Sequence, residues 1–585
     1  MNLPATYPEW NQKFKKEYFS LQNIPDRTVM LRNLVVIITY ILITINSAFA
    51  QTDHSKRPNI IFVMSDDHAY QAISAYDKRL IETPNIDRIA NMGMLFTEAS
   101  VTNSICAPSR ATILTGKHSH LNGKIDNHFP FDTTNVTFPQ LFQRSGYQTA
   151  MFGKLHFGNN PKGFDQFKIL PGQGVYYNPE FITKNEGTIK VEGYTTDIIT
   201  DMTLAWFEKE RNPNQPFMLM YLHKAPHRPW MMPERHLQEF TNRKFPEPET
   251  LFDNYSGRTS PAAEAEMNIL KHMSWAGDNK VFPNVMDELG IAEIGVDKVR
   301  YNSEMARLTP SQAENFKKAY TKINDQFKAA YPQMTDEDKM KWKYQRYMQD
   351  YLGTIKAVDD NVGRLLDYLE AHNLMENTII VYTSDQGFYL GEHGWFDKRF
   401  VYDQSFKTPL LVAWPGRVKA GSRSDALVQN LDFAQTFLDA AGIAAPTDMQ
   451  GESMIPLLTG SGKWTRDAVY YHYYEYPAEH MVNRHYAIVT KDYKLIHYYF
   501  AADAWELIDR KNDPMELKNV YDDPEYGKVK KHLHRKLEAL RKKYKDSNEL
   551  SQRYVDRFVE DATNGKVFGI SKEEVQEILE RRKKN

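Results

Sequence analysis

The sequence predicts an α/β protein: a large, mostly parallel sheet sandwiched by helices, followed by a smaller C-terminal antiparallel sheet plus helix. Three observations carry that expectation. Short apolar runs bounded by Pro and by Ser-Asp read as strands buried on both faces. Helical patterns alternate with them, as a parallel sheet requires. From about Trp464 onward the texture becomes Tyr-rich and alternating. At 585 residues the chain also exceeds what one compact core usually holds, which argues for a large domain carrying a smaller one.

The elements follow in order. Arg32, the apolar run Leu34 to Ile45 and Ala48-Phe49-Ala50 give the charged, apolar and small-residue regions of an export signal, with cleavage expected after Ala50 and Met30 as its natural start. About twelve mainly apolar residues are too few to span a bilayer, and no cysteine near the cleavage point offers a lipid anchor. Residues 1–50 are therefore set aside as a start-site extension and signal peptide. Pro58 to Met64, ending at Ser65-Asp66-Asp67, is the first buried strand. Phe217 to Leu222 is another, and Thr378 to Thr383, ending at Ser384-Asp385-Gln386-Gly387, is a third. Helices are expected over Pro84 to Met92, Pro108 to Leu114 and about Tyr344 to His372, where Tyr351, Ile355, Val358, Val362 and Leu365 share one face. Residues 240–340 are polar, lack strand runs and read as a helical insertion in a main domain over 55–462. The part from 463 to 585 reads as an α+β subdomain, its strands near Tyr470 to Tyr476 and Tyr493 to Phe500 and its helix Lys528 to Lys545.

Composition excludes some partners. With 73 basic and 75 acidic residues the chain has no electrostatic footprint for nucleic acid or an anionic membrane. An aromatic content of 13% suits a sugar-facing cleft as well as an ordinary core, so it decides nothing alone. A single cysteine, Cys106, is an oddity in an exported protein, where cysteines are usually paired or absent.

Chemistry enters where strands end. Asp66, Asp67 and Asp385 follow two separate buried strands and would converge at one edge of the sheet, where ligands gather in such folds. Clustered carboxylates repel unless a cation sits between them. With Gln386 they offer only oxygen donors, which selects calcium or magnesium over zinc. Either acidic motif alone reads more readily as a helix N-cap than as a ligand, and it is the pair that points to a metal. In Cys106-Ala107-Pro108-Ser109-Arg110, Pro108 suits the first turn of a helix, which places Cys106 at the positive end of the dipole with Arg110 on the same face.

That segment, with the Thr112-Ile113-Leu114-Thr115-Gly116-Lys117 that follows, resembles the signature of the type I sulfatases of the alkaline phosphatase superfamily, in which the cysteine is oxidised to formylglycine. Other blocks resemble the family in order from Pro58 to about Lys545. Gly153-Lys154-Leu155-His156-Phe157-Gly158 is similar to its Gly-Lys-Trp-His-Leu-Gly element, with Leu for Trp. His223 to Pro229 is similar to the block carrying a catalytic histidine, placed at His227, and Lys398 to the lysine after the second metal block. Gln386 stands where many relatives have Asn.

The resemblance implies an alkaline-phosphatase-like fold and hydrolysis of sulfate esters. It assigns catalytic roles to Cys106, Arg110, Lys154, His156, His227 and Lys398, and a calcium site, with magnesium the alternative, to Asp66, Asp67, Asp385, Gln386 and the converted Cys106. It implies that the hydrated aldehyde attacks sulfur, that Arg110, Lys154 and Lys398 hold the sulfate oxygens, that His227 or Lys398 protonates the leaving oxygen, and that His156 takes the proton as the hemiacetal collapses. It also implies a formylglycine-generating partner enzyme, an exported, periplasmic setting, and a sulfated carbohydrate of glycosaminoglycan or mucin type. The segments Ser384 to Arg399 and Tyr474 to Ile496 are similar to N-acetylglucosamine-6-sulfatases, with His393, His480, Arg484 and His485 expected to face the sugar. Two alternatives are a phosphomonoester or phosphonate hydrolase of the same superfamily and an inactive glycan-binding homologue.

Overall fold

The computed structural model describes residues 57–241 and 243–564, with 576 and 580; the expected signal segment and its cleavage point lie outside the described residues. The run after Pro58 forms the strand Asn59–Ser65, every residue of it buried. It lies at the middle of a ten-stranded sheet whose order is Ser422–Ser424, Met94–Phe96, Leu410–Ala413, Thr378–Ser384, Asn59–Ser65, Phe217–Leu222, Gln148–Lys154, Gln166–Leu170, Glu180–Thr183 and Thr188–Lys190. The five strands from Thr378–Ser384 to Gln166–Leu170 run parallel, and antiparallel pairings flank them on both sides.

Alternation along the central strand divides the core into two layers, because successive side chains point to opposite faces. Ile61 and Val63 pack with the helices Pro84–Met92, Thr195–Lys209 and Asp336–Ala371. Ile60, Phe62 and Met64 pack with Cys106–Thr115, Phe138–Arg144 and Phe433–Ala440 on the other side. The long helix begins at Asp336, a full two turns before the expected Tyr344, because Thr335 and Asp338 close a capping box there: Asp338 N donates to Thr335 Oγ1 at 3.2 Å and Thr335 N to Asp338 Oδ2 at 3.0 Å. The expected insertion is helical among its described residues, with Pro283–Leu289, Asp297–Met305 and Pro310–Ala330 as its main helices.

The C-terminal strands Val469–Tyr473, His485–Val489, Tyr493–Tyr498 and Ala504–Asp509 pair antiparallel in that order. One face of this small sheet holds Leu533 and Leu537 of the helix Gly527–Tyr544. Its other face shares a core with the main part: Val469, Tyr471, Ala487 and Ile496 pack with Val101, Ile105, Trp395 and Phe400. Among the described residues the main part and the C-terminal sheet thus share a core across 462 and fall in one unit. Among the described residues no helix is long and apolar enough to cross a membrane.

Candidate active site

Register builds this site. Ser65 pairs with Ser384 across parallel strands, so Asp66-Asp67 and Asp385-Gln386 leave the sheet side by side. Met64 pairs with Leu222 on the other side, and Leu222 with Gly153, so the same edge receives the segment from His223 to His227 and Lys154. Asp67 turns into the left-handed region (φ 65°), which Asp tolerates better than most residues and which carries its carboxylate away from the line of the strand.

Asp66, Asp67 and Asp385 are fully buried, and one oxygen from each lies within 4.8 Å of the others. Cys106 opens the helix Cys106–Thr115 beneath them, and its Sγ is 3.5 Å from Asp66 Oδ1. Burial, with Asp66 nearby, pushes the thiol well above its usual pKa, so it is not a thiolate here. Lys154 Nζ contacts Asp66 Oδ2. Lys398 Nζ donates to both oxygens of Asp67, at 2.7 and 2.8 Å. Gln386 Nε2 donates to Asp67 Oδ1.

The electrostatics are uneven. Burial raises all three carboxylates, but the charges of Lys154, Arg110 and Lys398 bring Asp66 well below its usual value. At Asp67 burial and the neighbouring carboxylates outweigh Lys398 and lift the pKa to about 7; at Asp385 burial and Asp66 lift it to about 6. Groups held in that state release strain when a cation joins them. Gln386 Oε1 is buried without a hydrogen-bond partner and adds a fourth oxygen donor. The donor set thus fits a hard divalent ion held by Asp66, Asp67, Asp385 and Gln386.

His227 donates from Nδ1 to the carbonyl of Arg228 at 2.7 Å, which turns Nε2 toward Asp67 Oδ2, 3.7 Å away. Burial, reinforced by Lys154, keeps the ring neutral. His223 diverges: its ring packs edge-on against Tyr221 and makes no hydrogen bond, so the two histidines do not form a zinc pair. His156, just past the strand and at φ 65°, is also held neutral by burial and by Lys154, with Nδ1 unpartnered.

Arg110 Nε donates to Asp385 Oδ2 at 2.9 Å and Nη1 to the Lys154 carbonyl at 2.5 Å, so most of its fork is committed to holding the cluster together. Only Nη2, 3.7 Å from Asp66, lacks a hydrogen bond. Arg110 thus ties Asp385 to the end of the Lys154 strand and keeps one donor without a partner.

Above the cluster lies a cleft in two parts. An inner cavity of about 270 Å³ is lined by His227, Lys398 and Asp397. An outer cavity of about 650 Å³ adds His480, Glu475 and Ser274. Asn127, Gln173, Arg228, Arg300, Arg399 and Glu479 line both. Of the four expected sugar-facing residues only His480 lines this cleft, with Nδ1 2.7 Å from the Glu266 carbonyl. His393 is sealed among Tyr389, Trp395 and Tyr402 and contacts Asp253 at 3.1 Å. Arg484 donates to the Tyr476 carbonyl and stacks on Phe500 and Phe558. His485 lies between Tyr471, Phe400 and Tyr498. Aromatic packing draws all three inside, and the expectation that they face sugar is corrected accordingly. The sequence reading missed Gln173, which bonds Lys154 Nζ, and Arg228, held by Asp278; no local pattern marks either.

Comparison with known proteins adds to this geometry. Residues 58–443 match the family described as Sulfatase, and 391–543 the family described as N-sulphoglucosamine sulphohydrolase, C-terminal. An N-acetylglucosamine-6-O-sulfatase of Bacteroides thetaiotaomicron is 47% identical over 514 residues, covering 85% of this chain and 88% of that one. A solved structure described as a complex with its substrate D-glucosamine-2-N,6-O-disulfate is 48% identical, covers 84% of this chain and 99% of its own, and superposes with a TM-score of 0.80. A phosphonate monoester hydrolase of Agrobacterium radiobacter, 19% identical with 83% and 96% covered and a TM-score of 0.59, shares the fold.

Proposed function

The chain belongs to the sulfatase family, and from that premise we propose that it removes the 6-O-sulfate of a glucosamine unit in a glycosaminoglycan- or mucin-type glycan, using a formylglycine made from Cys106 and a calcium ion. The observation that carries the reading is Cys106 at the head of its helix, 3.5 Å from a carboxylate of the oxygen cluster. The relatives named above for N-acetylglucosamine 6-O-sulfate and glucosamine disulfate support the substrate class.

Converted to an aldehyde by a maturating enzyme, residue 106 would supply a hydrated carbonyl whose hydroxyl is the nucleophile. A calcium ion on Asp66, Asp67, Asp385 and Gln386 would supply charge for the sulfate oxygens and acidify that hydroxyl. The chain's own groups do the rest. Lys154 and Lys398 flank the carboxylates from two sides and offset negative charge on the transferring group. Lys398, whose pKa is driven well up by Asp67 against the cost of burial, carries a proton at the inner cavity and delivers it to the leaving alkoxide. His227, oriented by its bond to the Arg228 carbonyl, fixes the leaving group's side of the cavity. His156, neutral and with a free Nδ1, takes the proton when the aldehyde is regenerated. Cleavage of the export signal after Ala50 would deliver the enzyme to the periplasm.

Mass spectrometry of the Cys106 peptide, together with sulfate release from N-acetylglucosamine 6-sulfate and from a matched aryl phosphate, tests the proposal. We expect an aldehyde at 106 and release from the sulfated sugar. A thiol at 106 in protein co-produced with a maturating enzyme, or turnover of the phosphate alone, would refute it.

A further inference from the structure

Three arginines line both parts of the cleft, and two of them are neutralised. Arg228 donates to both oxygens of Asp278, at 3.2 and 2.6 Å. Arg399 donates to Asp397 Oδ1 at 3.0 Å and to Glu475 Oε1 at 2.7 Å. Arg300 differs: among the described residues its guanidinium has no ion pair and no hydrogen bond, yet it is half-buried on the cleft wall. The positive charge of Arg228, followed by burial, pulls its pKa down against the opposing charges of Asp278, Glu479 and Asp297, none of which makes an ion pair with it.

Arg300 is not loosely placed. It stands on the insertion helix Asp297–Met305, whose first residue is fastened from below. The buried Asp297 carboxylate accepts the backbone N–H groups of Trp275, Ala276 and Gly277 at 2.8, 2.7 and 2.7 Å. One turn later the stem of Arg300 crosses Gly277, where an added Cβ would stand 3.2 Å from Arg300 Cδ and 2.8 Å from Ser274 Oγ. The bare α-carbon leaves room for the stem, and the Asp297 anchor fixes the helix that carries it. A rigid, unpaired guanidinium facing a cavity is the arrangement that recognises carboxylate or sulfate oxygens.

We propose that Arg300 is a specificity-determining residue that receives a second anionic substituent of the substrate, separate from the sulfate that is removed. The oxyanion is either an N-sulfo group on the reacting glucosamine or the carboxylate of an adjoining uronic acid. The inference rests on the 6-O-sulfatase reading above and adds to it that doubly anionic glycans are preferred over N-acetyl ones carrying the 6-sulfate alone.

The test compares kcat/KM of the wild type, Arg300→Ala and Arg300→Lys on three substrates: N-acetylglucosamine 6-sulfate, N-sulfoglucosamine 6-sulfate, and a disaccharide joining N-acetylglucosamine 6-sulfate to a uronic acid. Losing a charge-assisted hydrogen bond lowers kcat/KM about 10- to 100-fold on a doubly anionic substrate, with N-acetylglucosamine 6-sulfate changed by less than about twofold. Loss on the N-sulfo sugar assigns the anion to the reacting residue, and loss on the disaccharide assigns it to the neighbour. Arg300→Lys recovers part of the loss. The same preference is read as binding affinity in the Cys106→Ala background, where turnover does not intervene. Equal losses on all three substrates, or none on either doubly anionic one, overturn the inference. A wild type that desulfates none of them instead defeats the 6-O-sulfatase reading.

Discussion

Asp66, Asp67 and Asp385 with Lys154, Lys398 and Arg110 make one group of three acids and three bases at the ends of the central strands. Asp403, Glu516 and Glu98 with Lys494, Lys407 and Arg510 make a second, between the main part and the C-terminal sheet. In the second group every carboxylate oxygen has a donor. Asp403 accepts from Lys494 at 3.0 Å and from Arg510 at 2.9 Å, Glu98 from Lys407 at 2.6 Å and Arg510 at 2.9 Å, and Glu516 from Lys494 and from Asp403 N. Although burial opposes it, these cations hold Asp403 well below its usual pKa. The first group has the same charges but aims its carboxylates at one another, lifts two of them toward neutrality and leaves Gln386 Oε1 and Arg110 Nη2 unbonded. The same residue types thus make a closed fastening in one place and an open donor set in the other. What separates them is that the first brings an oxygen of each acid within 4.8 Å of the others, beside an amide oxygen that has no donor.

Removing the reactive group should break the comparison most sharply. Cys106→Ala should lower sulfate release by about 10⁵-fold, some 7 kcal/mol of transition-state stabilisation, while the melting temperature stays near that of the wild type. A variant retaining even about a hundredth of the activity would mean that residue 106 is not the nucleophile. Next comes the closed fastening. Lys494, fully buried, serves Val401 O, Asp403 and Glu516, so Lys494→Met leaves Glu516 without a cation and Asp403 with only Arg510 and Lys407, and should cost about 3–5 kcal/mol in denaturant unfolding. Activity per folded molecule should be unchanged within about twofold, and a selective loss of turnover would show that the second group also serves the chemistry.

Chelation is the third and weaker perturbation. Taking the ion from the open donor set should abolish turnover and lower stability by about 3 kcal/mol for an ion present at a hundred times its dissociation constant. Calcium should restore both. Asp67→Asn should remove the calcium-dependent shift in melting temperature, and a shift that persists unchanged in that variant would place the ion elsewhere.

The parts of this arrangement legible in the sequence were those encoded locally. Continuous apolar runs gave the strands at Asn59, Phe217 and Thr378, and the acids following them marked the sheet edge. Gln148–Lys154 was not seen as a strand, because its polar ends and Gly153 dilute the apolar pattern; only its terminal Lys154 was picked out, through resemblance. Thr195–Lys209 was missed for a related reason, its first turns being rich in β-branched residues that lower helix propensity. The cleft walls were less legible still. Arg300 meets Arg228 and Glu479 only through folding of an insertion, and no spacing along the chain signals that. His393, Arg484 and His485 show the converse error: polar residues amid aromatics suggested a sugar surface, whereas the aromatics enclose them.

His485 turns that error into the smallest of the tests. Burial, with the positive charge of Lys494 acting in the same direction, pushes its pKa from 6.5 down to about 3, and its Nε2 has no partner. The folded state therefore excludes a proton that the unfolded chain binds below pH 6.5. With more protons bound in the unfolded state, stability falls as the pH drops from about 6.5 toward 3, at roughly 1.4 kcal/mol per pH unit for each such histidine. His485→Phe keeps a planar ring among Phe400, Tyr471 and Tyr498 and removes the titration. Urea unfolding free energies measured between pH 4 and 6 should accordingly decline less steeply in the variant, by about one proton's worth of slope. Parallel declines in the two proteins would mean that His485 is already charged when folded, and with it that the packing between the two sheets admits water where the structure shows none of that ring exposed.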